Sequence, residues 1–587
     1  MAVQLISFIV SVIFVAAAII DYGFNLNSEE MGYLQRIYHF VQYFFVVIFT
    51  GRLITNWRHI WKNNFVSTIV LGVLLYLTIL PDILPAASAP QLLVRFYHAF
   101  TEKFYLLAVI AVFSIMEISR GVVSITRRKT NPALLLASTF LIIIFFGTIL
   151  LMVPRSTLDG VRLPMIDALF VSTSAVCVTG LTTVDFASTF STEGLIVIAL
   201  LVQIGGLGVM TITSFFALFF MGNTGLYDQF ALRDMVSSDT FSSLMSTLLY
   251  ILGFTIGIEA IGAFAIWATV HGTLGMNLVD EIFFSVFHSI SAFCNAGFST
   301  LTGNLGNTML IQGHGSFYIT VSLLIILGGI GFPILVNLKS AIFYYIRYGF
   351  SRIVRGKTPT RVPHLAHLNT KIAVSATVIL LVVGTVAIAT TEWNGAFAGM
   401  SLSDKLIQSF FNATTPRTAG FNSVDVSHFS LLTLILYIIL MWIGGASQST
   451  AGGIKVNTIG VAFASFMSTV RDQKSVTMFN RTITDKSVKR AYATIFGSVM
   501  FIIVCFVTLV VVEPKIDAFD LLFETISALS TAGASLGITP LLSTTSKILF
   551  SVLMFVGRVG LITVAMSLFA SREHRHYQLP EENVIIN

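Results

Sequence analysis

The sequence predicts an all-α integral membrane protein in which four helix, pore-loop, helix repeats stand in a pseudo-fourfold arrangement around one pore, after an N-terminal multi-span extension. Three observations predict it. The 587 residues are 55% apolar and 11% charged, with a mean hydropathy of +0.87, which leaves too few polar side chains to cover a water-soluble globule of this size. Apolar runs of the ~20 residues that cross a bilayer as a helix recur from end to end, for example around 134–153, 191–220, 317–346 and 547–570. A short glycine-bearing pattern returns four times at near-equal spacing.

In chain order, the first apolar run, about residues 3–20, lacks a basic start and is followed by Asp21, Glu29 and Glu30, so it reads as a retained span rather than a cleaved signal. Further spans are expected near 38–55, 64–80 and 104–117, which makes residues 1–130 an extension of about four spans. None carries arginine at every third position, as a voltage sensor would. Repeats are expected over 131–222, 240–347, 370–470 and 489–572, followed by a tail, 573–587.

Net charge is +6, spread over short inter-span loops: Arg52, Arg58 and Lys62; Arg120, Arg127, Arg128 and Lys129; Arg347, Arg352, Arg355, Lys357, Arg361 and Lys371; Arg471, Lys474, Arg481, Lys486, Lys489 and Arg490. Lysine and arginine mark the cytoplasmic side, which puts the N-terminus inside and reads as topology rather than nucleic-acid binding. The one exception is the loop with Asp228, Asp234 and Asp239 against Arg233. Cys177, Cys294 and Cys505 show no metal-ligand spacing, and His288, His314 and His364 have no partner spacing that would build a metal or proton-relay site. No phosphate-binding glycine loop is present, and no constellation points to an enzyme.

The repeated pattern is SAVCVTGL at 174–181, SAFCNAGF at 291–298, TTPRTAGF at 414–421 and SALSTAGA at 527–534. Its glycines, Gly180, Gly297, Gly420 and Gly533, lie 117, 123 and 113 residues apart, room for two spans and a loop per unit. Each pattern follows a short amphipathic stretch, such as Asp167 to Val176 or Asp520 to Leu529, too short to cross a membrane and therefore re-entrant. Non-helical backbone at membrane depth is tolerated only inside protein or along a wet cavity. Glycine there permits positive φ and close approach of chains, so that carbonyl oxygens can replace an ion's hydration shell. Helix C-termini aimed at the same place favour a cation. A monovalent cation pathway is the expectation.

At these residues the chain resembles the membrane subunits of the Trk, Ktr and HKT superfamily of potassium transporters and channels, over about residues 130–575. The resemblance implies a potassium ion in the pore and no bound cofactor. It implies a selectivity filter of Val178, Thr179, Gly180 and Leu181; Asn295, Ala296, Gly297 and Phe298; Thr418, Ala419, Gly420 and Phe421; Thr531, Ala532, Gly533 and Ala534. Glycine in all four units is that superfamily's potassium-type pattern, with sodium-coupled or sodium-selective transport the alternative; Ala534 departs from the large apolar residue of the other units.

Ten residues with four glycines, GGASQSTAGG at 444–453, will not hold a lipid-facing helix. The resemblance makes them, with Lys455, an intramembrane gating loop whose candidate residues are Gly444, Gly445, Ser447, Gln448, Ser449, Thr450, Gly452, Gly453 and Lys455. Arg558 lies within the last apolar run, where a charge costs about 2.5–3.5 kcal/mol on insertion scales; by resemblance it projects beneath the filter and contacts the loop. Arg417 is expected to turn from the axis and tie down filter backbone, and Cys177 and Cys294 to be packing residues. The resemblance also implies a homodimer in the inner membrane, with a cytoplasmic nucleotide-binding regulatory ring of the TrkA/KtrA type docked on the basic loops.

Overall fold

The computed structural model describes residues 2–24, 26–63, 65–79, 103–126, 132–158, 160, 162–208, 244–306, 310, 314–355 and 367–568. The expected basic residues Arg127, Arg128, Lys129, Lys357 and Arg361, the acidic loop around Asp234, His364, the far end of the 191–220 run and the 573–587 tail lie outside these residues.

Helices α1 (Ala2–Gly23), α2 (Ser28–Asn63), α3 (Phe65–Leu77) and α4 (Lys103–Thr126) come first. They bury Phe14, Tyr38, Val41, Phe45 and Phe113 among themselves. Two ion pairs tie them: Lys103 Nζ donates to Asp21 Oδ1 at 2.7 Å, and Arg52 makes a two-pronged contact with the Glu117 carboxylate. Arg155 Nη1 donates to the Tyr22 carbonyl at 3.3 Å, joining the end of α1 to the next unit.

Four units of one plan follow, each with an outer helix, a short helix and an inner helix. The first is α5 (Pro132–Leu151), α6 (Met165–Cys177) and α7 (Thr192–Leu207). The second is α8 (Leu244–Val270), α9 (Leu278–Phe293) and α10 (Gly315–Ile330), continued by α11 (Phe332–Arg355). The third is α12 (Leu368–Glu392), α13 (Leu402–Thr414), α14 (Leu431–Trp442) and, beyond a loop, α15 (Val456–Val470). A hairpin of β1 (Thr477–Met478) and β2 (Arg481–Thr482) leads to the fourth: α16 (Asp485–Val512), α17 (Ala518–Leu529), α18 (Thr544–Val559) and α19 (Leu561–Leu568).

Local chemistry places the starts. Ser191, Ser430 and Ser543 cap the inner helices of units one, three and four by accepting from the backbone N–H three residues on. Asn277 and Ser401 cap short helices in the same way, and Asp517 caps α17 by accepting from the N–H of Phe519, two residues on. In units three and four a glutamate at the end of the outer helix also grips the cap of the inner one: Ser430 Oγ donates to Glu392 at 2.7 Å, and Ser543 N–H to Glu513 Oε1 at 2.7 Å. Among the described residues five helices are long and apolar enough to cross a membrane alone, within α1, α2, α8, α12 and α16. The short helices, at 13, 16, 13 and 12 residues, are not. Apolar side chains such as Val378, Ile379 and Val382 on α12 and Val504, Val507 and Val511 on α16 stand exposed, as lipid-facing residues do. The protein is an all-α multi-pass membrane protein.

Two of the long apolar runs are not single helices. The 317–346 run bends by 100° between α10 and α11, at Gly331, whose φ is +95°. The 547–570 run breaks between α18 and α19 at Gly560, φ +93°. Apolarity alone reads continuous through both points, because a glycine counts as neutral while its backbone turns the chain.

Inner helices pack on short helices in a set order: α7 on α6 and α9, α10 on α9 and α13, α14 on α17, and α18 on α17 and α6. Each thus reaches its successor's short helix, and the last returns to the first.

Candidate functional site

The four glycine patterns fold alike. In units one, two and four the short helix ends in a paired bond: Val178, Asn295 and Thr531 N–H donate three residues back at 3.1 Å each, and Thr179, Ala296 and Ala532 N–H donate five back at 2.7–2.8 Å. This is a Schellman close, which needs a left-handed residue at its corner. That corner is Val178 (φ +56°), Asn295 (+61°) and Thr531 (+48°), with Thr418 (+104°) in unit three. Asparagine tolerates the conformation; β-branched valine and threonine resist it, at a cost on the order of 1–3 kcal/mol each. Unit three differs because Pro416 ends α13 and a 3₁₀ turn, Thr415–Arg417, takes its place.

Two residues on, Gly180, Gly297, Gly420 and Gly533 all have positive φ, between +71° and +95°. A Cβ at each would come closer than 3.0 Å to one carbonyl oxygen: Ala296 for Gly180, Ala419 for Gly297, Ala532 for Gly420 and Thr179 for Gly533. Those oxygens belong to the residue just before the next unit's glycine, and the fourth unit's contact returns to the first. The sixteen residues singled out from the sequence therefore lie in four abutting segments. Side chains brace them from behind: Ser291 Oγ donates to Phe298 O and Thr415 Oγ1 to Phe421 O, both at 2.8 Å, and Asn304 Nδ2 to Gly297 O at 3.2 Å.

The loop at 443–455 lies against three of those units. Helix α14 stops at Trp442 and α15 starts at Val456. The loop's two ends pair, Gly444 N–H donating to Ile454 O at 2.9 Å, while Ala446 N–H donates to Gly329 O at 2.9 Å and Thr450 Oγ1 to Phe293 O at 3.2 Å. Gly452 packs so closely on Ser530 and Thr531 that a Cβ would strike them. Gly453 (φ +66°) and Gln448 (+59°) take left-handed turns, and Ser449 Oγ donates to Ala446 O at 2.7 Å. Ser447 is exposed. Lys455 Nζ folds back to donate to Ala451 O at 2.5 Å, so it closes the loop on itself.

Arg558 stands two residues before the break in unit four, its guanidinium donating to Thr450 O in the loop and to Gly205 O in α7. It bridges units one, three and four. Arg417 departs from expectation. It reaches Thr377 Oγ1 (3.4 Å) on α12 and Gly444 O (3.5 Å) at the loop's entry, not filter backbone, because the 3₁₀ turn carries its side chain outward. Cys177 and Cys294 are buried.

Sequence reasoning missed two features. One is a second repeat: GGLG, GGIG and GRVG end α7, α10 and α18 at Gly208, Gly331 and Gly560. In each, the first glycine sits against a carbonyl in the last turn of its short helix: Gly205 on Val176, Gly328 on Phe293, Gly557 on Leu529. Arg558 occupies the place of the pair's second glycine. The other is Glu259, a lone carboxylate inside the α8 apolar run, which accepts from Gln203 Nε2 at 3.0 Å beside Cys294.

Comparison with known proteins gives a consistent picture. The cation transport protein family (TrkH) matches residues 99–576. The chain is 35% identical over 467 residues to the potassium/sodium uptake protein NtpJ of Enterococcus hirae, covering 78% of this chain and 98% of that one. It is 33% identical over 458 residues to the Ktr system potassium uptake protein B of Bacillus subtilis, covering 78% and 97%. The crystal structure of the potassium transporter TrkH from Vibrio parahaemolyticus superimposes with a TM-score of 0.59 at 17% identity, over 85% of this chain and 97% of that one, which speaks for the fold.

Proposed function

Because the chain belongs to the cation transport protein family, we propose that it is a potassium uptake subunit that passes the ion through one pore at the centre of its four units. The observation that carries the reading is the cyclic order in which each glycine meets the carbonyl before the next one and the fourth meets the first. Val178 to Leu181, Asn295 to Phe298, Thr418 to Phe421 and Thr531 to Ala534 form the filter, with backbone oxygens replacing the hydration shell of potassium. The negative ends of α6, α9, α13 and α17 face the same point and add to cation preference. Uptake runs down the electrochemical gradient, the membrane potential contributing about 2.3 kcal/mol per charge per 100 mV.

The loop at 444–453 is the gate, held shut beneath the filter by Arg558 on Thr450 O and by Thr450 on Phe293 O, and kept in shape by Lys455 on Ala451 O. Arg558 doubles as an electrostatic barrier. The basic ends of the spans face the cytoplasm, the N-terminus is inside, the membrane is the inner cell membrane, and the protein works as a homodimer over a nucleotide-binding regulatory ring of the TrkA/KtrA type. Sodium-coupled or sodium-selective transport is the second reading, favoured by the potassium/sodium name of the Enterococcus relative.

Rubidium uptake into liposomes holding the purified chain tests the first reading. Saturable flux that loses discrimination against sodium in Gly297→Ser supports the filter. A flux that requires sodium selects the second reading, and no flux with the regulatory subunit added refutes both.

A further inference from the structure

At the end of the molecule that carries the basic connectors, a cavity of about 490 Å³ opens between the start of α12 and the β1–β2 hairpin. The described residues lining it are His367, Leu368, Lys371, Phe479, Asn480, Arg481 and Thr482, with no carboxylate among them. Neither Lys371 nor Arg481 has an acidic partner within salt-bridge distance among the described residues. Two cations lining one concavity, without an acidic partner among the described residues, give it a positive potential that an anion entering it would meet favourably.

The cavity's place selects the anion. Leu368 opens the apolar span of α12, and α15 next to it exposes Phe463, Phe466 and Val470. The hairpin tip then presents Phe479, 45% exposed, in the left-handed conformation (φ +51°) that a bulky side chain avoids. Cations at the level where spans begin, beside aromatic side chains turned outward, match the boundary between headgroups and acyl chains. The register of the hairpin, Met478 opposite Arg481, keeps the guanidinium at that tip.

We propose that this cavity binds the phosphate headgroup of an anionic phospholipid, with Lys371 and Arg481 pairing the phosphodiester, Asn480 and Thr482 supplying hydrogen bonds, and Leu368 and Phe479 resting on the first carbons of the chains. The site is separate from the ion pathway and does not depend on which cation passes.

Native mass spectrometry of the detergent-purified full chain, titrated with phosphatidylglycerol and with phosphatidylcholine, tests it. The expected result is one retained phosphatidylglycerol per chain with about tenfold preference, reduced about fivefold by each of Lys371→Gln and Arg481→Gln. An Arg471→Gln/Lys474→Gln variant, which removes twice the charge of either cavity variant but outside the cavity, keeps the preference. Equal loss in the cavity and control variants would assign the effect to bulk surface charge and overturn the proposal. Displacement of both lipids alike by millimolar phosphate or ATP would overturn it too, giving the cavity to a soluble phosphate. Should a glutamine variant not fold, Arg481→Lys, which keeps charge but loses the fork, carries the same test with a smaller fall.

Discussion

The third unit and the other three solve the same junction in opposite ways. In units one, two and four a glycine of the inner helix presses on a carbonyl in the last turn of the short helix, at Gly205, Gly328 and Gly557, and three residues later one glycine turns the chain. In unit three the corresponding Gly444 meets Gly452 of its own loop, and residues 443–455 stand where the others spend a single residue. A close-packed glycine contact has few alternatives, since interiors are dense and a backbone carbonyl cannot step aside. A loop held by a few donors can give them up one at a time. The difference teaches that three junctions are fixed by backbone-on-backbone contact, whereas the fourth is held to its neighbours largely by hydrogen bonds to the loop.

The largest effect expected from breaking this contrast is on the rigid side. Gly557→Ala drives a Cβ into the Leu529 carbonyl, and overpacking of this kind costs about 1–3 kcal/mol. A thermal shift of several degrees downward and loss of rubidium flux are expected. An alanine inserted after the exposed Ser447 is expected to leave the melting temperature unchanged; equal destabilisation by both would erase the comparison.

Next is the latch. Arg558→Gln removes a charge-assisted bond to Thr450 O, worth about 1.5–3 kcal/mol, and flux without any regulatory subunit is expected to rise at least tenfold. Unchanged flux would show that Arg558 braces α7 at Gly205 O rather than the loop. Thr450→Val deletes only the neutral bond to Phe293 O, about 1 kcal/mol, and a rise of about fivefold is expected in the same assay. The smallest effect belongs to Cys177→Ser with Cys294→Ser. As packing residues they should leave flux within about twofold, and a collapse of flux would give the Gln203, Glu259 and Cys294 group a role in holding the second filter segment.

Much of this was legible in the residues. Four glycines in register announced the repeated segments, and the GGASQSTAGG composition announced the break in unit three, because a run of small residues is costly as a helix in any setting. The single-glycine breaks at Gly331 and Gly560 were less visible, since one glycine in an apolar run is compatible with an unbroken helix. Arg417 shows a different limit: its place three residues before Gly420 suggested that it ties down backbone beside that glycine, whereas, with a proline one residue earlier, it reaches Thr377 and Gly444 instead.

By itself the sequence determined the membrane class, the count of units and the residue types at each turn, all properties set by local composition and period. Only the tertiary structure decided which glycine meets which carbonyl, that the fourth segment closes on the first, and that Arg558 reaches Thr450 across 108 residues of chain. Those are contacts between units far apart in sequence, fixed by how helices pack, and no local pattern encodes a partner that distant.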